Sequence, residues 1–499
     1  MFDYKKLIKK FKTILISLLS ILFVAGFSVS ANAKVLIVGQ IAEPKSLDPS
    51  TVTAVNDFRI VMNMYDGLVR YTDGKLEVEP SLAKSWDISS DGTVYTFNLR
   101  SGIKFHDGSD FNAEAVKFNF DRMLNKDHPY HNTGPFPLSF FFSAIKSVDV
   151  VNANTVKFTL NEPYAPFLSN LAYPTGLIVS PAGVKKHGKD FGRNPSGTGA
   201  FKFKEWKSNE RVVVDKNSGY WDGKAGTDAV VFRPITDANT RVAEMLSGGI
   251  DMMVEVPPAS LSKFGGSKFS IVEQAGPHVW FLILNAKEGP FANKKVRQAA
   301  NYAINKQAIV NDVLEGTAAI AAGPTPPAFA WAYNNSLQPY PYDPAKAKAL
   351  IKEAGVEGAK LTFYVTEGGS GMLDPVAMGT AIQADLKAVG FDVEIKTFEW
   401  NSFLGEVNPG LEGKADMAEM AWMTNDPDTL PFLALRTESW PDKGGFNSGY
   451  YSNPKVDDLL NRARSSTDQA ERAKLYQEMQ EIVQEDAPWV FVANWKQNA

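Results

Sequence analysis

Five histidines, one aspartate pair and one glycine-rich serine are the residues of this chain whose types and spacing could do chemistry. The histidines are His106, His128, His131, His187 and His278, and the chain beyond residue 284 offers no imidazole at all. His128 and His131 are three apart, a spacing that shares a helix face, but Pro129 between them favours a loop. His106 sits in the run Lys104-Phe105-His106-Asp107-Gly108, where turn chemistry gives it a structural role. Direct metal binding is therefore not expected. Gly368-Gly369-Ser370-Gly371-Met372 is the nearest approach to a nucleophile elbow, and it lacks the final glycine of G-x-S-x-G. Asp426-Pro427-Asp428 holds two carboxylates around a proline, which describes a turn better than an acid–base pair, and nothing supplies a triad. The expectation is a protein without catalysis or cofactor. Trp400 and Trp422 are large enough to stack on a sugar or a flat apolar group. Core packing is the plain alternative for both.

The N-terminus states where the chain works. Lys5, Lys6, Lys9, Lys10 and Lys12 precede an apolar stretch from Ile14 to Phe27 that ends in Ala31-Asn32-Ala33. That order is a cleavable secretory signal over residues 1–33, with the mature chain starting near Lys34. The apolar core is short for a membrane span of ~20 residues, and no later run approaches that length. Cysteine is absent, which excludes thiolate metal sites and cysteine nucleophiles. A chain this long buries enough apolar surface to do without disulfides. Net charge is −4, and removing a signal with five lysines and one aspartate takes it to −8. An acidic surface offers no footprint for nucleic acid or anionic lipid.

The elements that must position any site read as α/β with hairpin-rich additions. Tyr95, Phe97 and Leu99 alternate after the turn Ser90-Asp91-Gly92, and Val156, Phe158 and Leu160 alternate after Asn152-Ala153-Asn154. Residues from about 76 to 194 are expected as short strands and loops broken by one helix near 113–124. Phe201 and Phe203 face Val212 and Val214 across a hairpin through Lys207-Ser208-Asn209. Asp343-Pro344 opens a helix that Gly355 closes, and a strand follows at 361–365. Met378, Ile382, Leu386 and Val389 then recur at helical spacing, ahead of strands at 393–397 and 417–422. This β-α-β-α-β order predicts a covered, parallel-rich sheet. A last helix spans about 470–484.

One long phrase carries more than patterning. Tyr65-Asp66-Gly67-Leu68-Val69-Arg70, Glu79 to Trp86, and Ser90 to Gly108 closely resemble the peptide/nickel-type solute-binding proteins of ABC importers. Glu43-Pro44-Lys45-Ser46-Leu47-Asp48-Pro49, Gly197-Thr198-Gly199-Ala200-Phe201, Val296-Arg297-Gln298-Ala299, Gly323 to Pro327 and the Trp422 to Asp428 block extend the resemblance over nearly all of the mature chain. What it implies is a two-lobed clamp of the type II periplasmic-binding-protein kind with an additional third domain. The first lobe would comprise residues 34–75, 195–284 and 486–499, the extra domain 76–194, and the second lobe 285–485. A ligand between the lobes would be buried by closure, and permease subunits with their ATPases would receive it from a monomeric protein. The missing cysteine leaves no lipid anchor, which implies a freely diffusing periplasmic protein.

The same resemblance singles out ligand contacts. Thr53, Ala54 and Val55 follow Leu-Asp-Pro where the family's first loop touches ligand. Trp422, Met423, Thr424, Asn425 and Asp426 stand at the block that holds a peptide's ammonium, and Trp280 and Asn447 lie on presumptive cleft loops. Two departures matter. Asn425 replaces the ammonium-binding Asp of dipeptide binders, with Asp426 as a substitute, and Gly371 stands where they carry a carboxylate-binding Arg. Glycine cannot supply a bidentate guanidinium, so a simple dipeptide is disfavoured against longer peptides or peptide-like compounds. Opines, oligosaccharides and metal chelates stay open as non-peptide ligands. A secreted hydrolase and a peptide-holding chaperone are the rival classes.

Overall fold

The computed structural model describes residues 34–368, 372 and 374–499. Residues 1–33, expected as the signal, and Gly371 lie outside the described residues. Among the described residues no helix is long and apolar enough to cross a membrane.

Two separate sheets organise two lobes. The first runs Met252–Met253, Val35–Gln40, Ala229–Pro234, Arg211–Lys216, Phe201–Lys207. Its inner three strands are Val-rich, and Val212, Val214, Val230 and Phe232 bury one face against the helix Val55–Met64. The hairpin pairs Phe203 with Val214 as expected, but a bulge between Phe203 and Glu205 puts Val212 opposite Trp206, and Phe201 lies opposite Lys216. Asn209 turns it with φ 59°, a left-handed geometry that asparagine tolerates.

The second lobe is built on a seven-stranded sheet: Glu273–Ala275, Trp489–Asn498, His278–Leu284, Met417–Met423, Lys360–Thr366, Asp392–Phe398, with Ala318–Ile320 on the Trp489–Asn498 strand. Parallel pairing is confined to Lys360–Thr366 and its two neighbours; the rest is antiparallel, so the sheet is less parallel than the element order predicted. Period-two alternation splits each strand between two cores. Trp280, Met417 and Ala421 face one, and Phe281, Met420 and Trp422 the other. Two segments assigned to the first lobe by resemblance belong to this sheet: His278–Leu284 at its centre and Trp489–Asn498 beside it. His278 is therefore an imidazole of the second lobe, which corrects the expectation that this lobe has none.

The segment expected as the extra domain carries a four-stranded antiparallel sheet in the order Ala83–Ile88, Val94–Leu99, Thr155–Leu160, Ile145–Asn152, and the ladder of Val69–Tyr71 and Val78–Pro80 packs into the same core, so this body begins before the expected residue 76. The helix Ala113–Leu124 covers it, capped by Asn112. The helices Phe167–Ala172 and Pro181–His187 were not anticipated; each is too short to show a period. Arg122 of this domain pairs with Asp48 of the first lobe, both buried. His106 accounts for itself here, its Nε2 lying 3.0 Å from the Gly199 carbonyl oxygen, and burial pushes its pKa down to about 4.

The lobes are joined by two chain passages side by side. Gly276 donates to the Trp495 carbonyl at 3.0 Å, and a Cβ there would meet His278 Nδ1 at 2.9 Å. The C-terminal strand begins in the second sheet and ends on the first lobe, where Asn498 accepts from the amides of Glu255 and Val256.

Candidate functional site

A cavity of about 550 Å³ lies between the lobes at this crossing. The first lobe supplies Ala54, Val55, Arg241 and Glu255, and the other side supplies Thr317, Met372 and Trp495. Ala54 is the extended residue that starts the helix Val55–Met64, so the preceding loop is turned to the cleft. Arg241 enters from the first turn of the helix Ala238–Ser247, which Asp237 caps through the Thr240 amide at 2.7 Å. Glu255 is held at φ 56° and pairs with Arg59 at 2.7 Å. Behind the wall, His278 meets the Trp495 ring edge-on with centroids 4.8 Å apart. Burial, and then the charge of Arg59, lowers the His278 pKa to about 4, which keeps the imidazole neutral at pH 7.

The residues expected from sequence divide sharply. Ala54 and Val55 line the cavity, and Thr53 is exposed beside them. Trp280 and Trp422 are on opposite faces of the second sheet, because their positions differ by one in register. Trp280 is buried with its indole N–H unpartnered among the described residues. Trp422 is half-buried against Phe446, centroids 5.6 Å apart, on the face away from Met372. Met423 packs on the first-lobe core, so it bridges the lobes as a contact rather than a cavity wall. Thr424 is buried, its amide bonded to the Pro277 carbonyl.

Asn425 and Asp426 do something other than receive an ammonium. The Asn425 side chain donates to Asn170 Oδ1 at 2.6 Å and accepts from Thr429, and its carbonyl accepts from the Tyr71 hydroxyl. Asp426 accepts from Arg472 at 2.7 Å, from Ser169 at 3.0 Å and from the Asp428 amide at 2.9 Å. Asp428 pairs with Arg464 at 3.0 Å, and burial raises its pKa to about 6 against the pull of Arg464. Tyr71, Ser169 and Asn170 all belong to the extra domain. The block therefore fastens the second lobe to that domain, with the side-chain polar atoms of Asn425 and Asp426 already engaged. Asn447 is likewise spent on its own loop, holding the Arg436 and Tyr451 carbonyls.

Arg241, Glu255, Met372 and Trp495 escaped the sequence reading. One signal was available for the first. Arg241 falls with Ala238, Val242 and Met245 on one helical face, and an arginine on an apolar stripe calls for a reason.

Among the described residues no cluster of three or more histidine, aspartate or glutamate side chains could hold a metal. The family model described as bacterial extracellular solute-binding proteins, family 5, middle region, matches residues 77–443. The chain is 36% identical over 453 residues to heme-binding protein A of Haemophilus influenzae, covering 86% of this chain and 81% of that one. It is 36% identical over 462 residues to the glutathione-binding protein GsiB of Pectobacterium atrosepticum, covering 90% and 86%. Among solved structures, the periplasmic binding protein DppA of Helicobacter pylori in complex with the peptide STSA superposes with a TM-score of 0.76 at 35% identity, over 93% of each chain.

Proposed function

The chain belongs to the bacterial extracellular solute-binding proteins of family 5, and we propose that it captures a peptide or peptide-like solute between its lobes and delivers it to an ABC importer. The observation that supports this most is the cavity of about 550 Å³ with walls from both lobes. Small-molecule sites fall at ~300–1,000 Å³. A solute touching both walls favours the shut form over the open one, and that difference in affinity is what a permease can read. The relatives' names, which speak of heme, glutathione and a peptide, support a peptide-like solute.

Export through cleavage after Ala33 fits the same role, as does a body that carries solute without transforming it. Delivery would be to membrane permease subunits driven by cytoplasmic ATPases. The paired state of Asn425 and Asp426 removes the ammonium partner that a simple dipeptide needs. A compound larger than a dipeptide suits the cavity's volume of about 550 Å³ and its mixed lining.

Calorimetry against di-, tri- and tetrapeptides and glutathione, with small-angle scattering on each mixture, tests the reading. Tight binding of a tri- or tetrapeptide or of glutathione, with a fall in radius of gyration, is expected. Silence across that panel, with binding of an opine or oligosaccharide instead, would keep the transport role and overturn the peptide assignment. Turnover of any member would overturn the role itself.

A further inference from the structure

Arg241 is 4% exposed, and the acids that act on it, Glu255 and Asp237, do so without a hydrogen-bonded ion pair. Its hydrogen bonds to protein both leave from Nη1, to the carbonyls of Ile235 at 2.7 Å and Thr236 at 3.2 Å. Its Nε has no partner among the described residues. The second lobe contains the same clasp with one difference. Arg297 reaches back from Nη1 to the carbonyls of Phe291 at 2.9 Å and Ala292 at 3.2 Å, but its Nε also donates to the Asp486 carbonyl at 3.0 Å. Where Arg297 Nε has that third carbonyl, Arg241 Nε is buried and unpartnered among the described residues, in a residue that lines the interlobe cavity. The buried arginines Arg122 and Arg472 rest on Asp48 and Asp426 and Arg297 on three carbonyls, so Arg241, with two carbonyls on one nitrogen, is the one held least.

We infer that Arg241 is the carboxylate-binding residue of the cleft, receiving a two-oxygen anionic group of the solute on its Nε and Nη2 edge. A planar guanidinium presents two parallel N–H groups on that edge, matched to the two oxygens of a carboxylate. The two carbonyls on Nη1 fix the plane beforehand, so little side-chain freedom is lost on binding. Ala238 lines the cavity from the start of the same helix, whose N-terminal end favours negative charge. The two acids whose charge reaches Arg241 are bonded elsewhere, Glu255 to Arg59 and Asp237 to Thr240. A buried cation with no carboxylate hydrogen-bonded to it is costly, because distant acids offset its desolvation only in part, and an arriving carboxylate recovers that cost. The assignment rests on the capture reading and narrows it to solutes that carry an acid group. It also relocates the anion contact: the second-lobe position given by resemblance holds Gly371, and the first lobe supplies an arginine instead.

The test compares each peptide of the calorimetric panel in its free-acid and C-terminal amide forms on the wild type, Arg241→Gln and Arg241→Lys. The free acid should bind wild type tighter by roughly tenfold or more, the worth of a hydrogen-bonded charge pair, and the preference should vanish in Arg241→Gln. Lysine should restore only part of it, because it lacks the fork. Equal affinity for acid and amide forms on the wild type would overturn the inference, and so would an undiminished preference in a folded Arg241→Gln. A second arm needs no peptide. The Arg241 Nε–H resonance, assigned by its loss in Arg241→Lys, should shift when acetate replaces chloride at constant ionic strength. An acetate shift without peptide binding would uphold the carboxylate site and defeat the peptide reading. No shift, whatever the peptides do, would defeat the site.

Discussion

The side-chain amide of Asn425 donates to Asn170 Oδ1 at 2.6 Å across 255 residues of sequence, joining the second lobe to the extra domain. With Tyr71 on the Asn425 carbonyl and Ser169 on Asp426, it makes a buried polar seam in which each group has a partner from the other body. This is why a position aligned with an ammonium contact has become an anchor.

Asn425→Asp should therefore destabilise the protein without creating a dipeptide site. A carboxylate there faces the Asn170 oxygen, loses the donor and leaves a buried acceptor unsatisfied, for a loss of about 1–3 kcal/mol. Urea unfolding measures the loss. Acquisition of tight Ala-Ala binding by the variant would show that the residue points into the cleft after all.

Ala54→Trp should abolish solute binding while leaving the unfolding midpoint nearly unchanged. Ala54 lines the cavity as the extended residue before its helix, so an indole there occupies solute volume without entering the core. A tenfold or greater fall in affinity is about the least expected from filling a site of this kind. Retained affinity in calorimetry would move the ligand elsewhere.

Breaking the pair of Arg122 and Asp48 should be severe. Arg122 is 1% exposed, and Arg122→Met leaves a buried carboxylate with no counter-charge, at a cost of ~3–5 kcal/mol. Replacing both residues with apolar ones of similar size should recover most of that. A double variant as unstable as the single one would mean that the arginine acts by its packing on Phe136 instead.

His278 should make stability fall on acidification. Its ordinary pKa of 6.5 drops to about 4 in the fold, because burial disfavours the charged ring. Between those values the unfolded chain binds more protons than the native one, so stability declines as pH falls from 6.5 to 4 and levels off below. The shift corresponds to roughly 3 kcal/mol. Asp57 and Asp428, both raised to about 6 chiefly by burial, act oppositely, since the native state then holds the extra protons and stability falls as pH rises from about 4 to 6. Denaturation of His278→Gln across this window should show a markedly shallower loss toward acid than the wild type; identical curves would remove His278 from the account.

Local pattern made much of this molecule legible. The helix Ala113–Leu124 and the strands Val94–Leu99 and Thr155–Leu160 follow from capping and alternation within a dozen residues. What sequence could not supply was pairing over distance. His278–Leu284, where Trp280 is expected on a cleft loop, is a central strand, and only its register with Met417–Met423 shows which sheet owns it. Asn425 and Asp426 read as free polar groups because Asn170 and Arg472, which occupy them, lie 255 and 46 residues away. Arg241 failed for the reverse reason, since its significance lies in a partner it does not have.

The crossing at Gly276 and the seam at Asn425 have a joint mechanical meaning. A rigid body pinned at two separated points keeps one freedom, a turn about the line through them. With both fastenings intact, the second lobe can swing but neither slide nor twist away, and the direction of that swing is written into where the two pins sit.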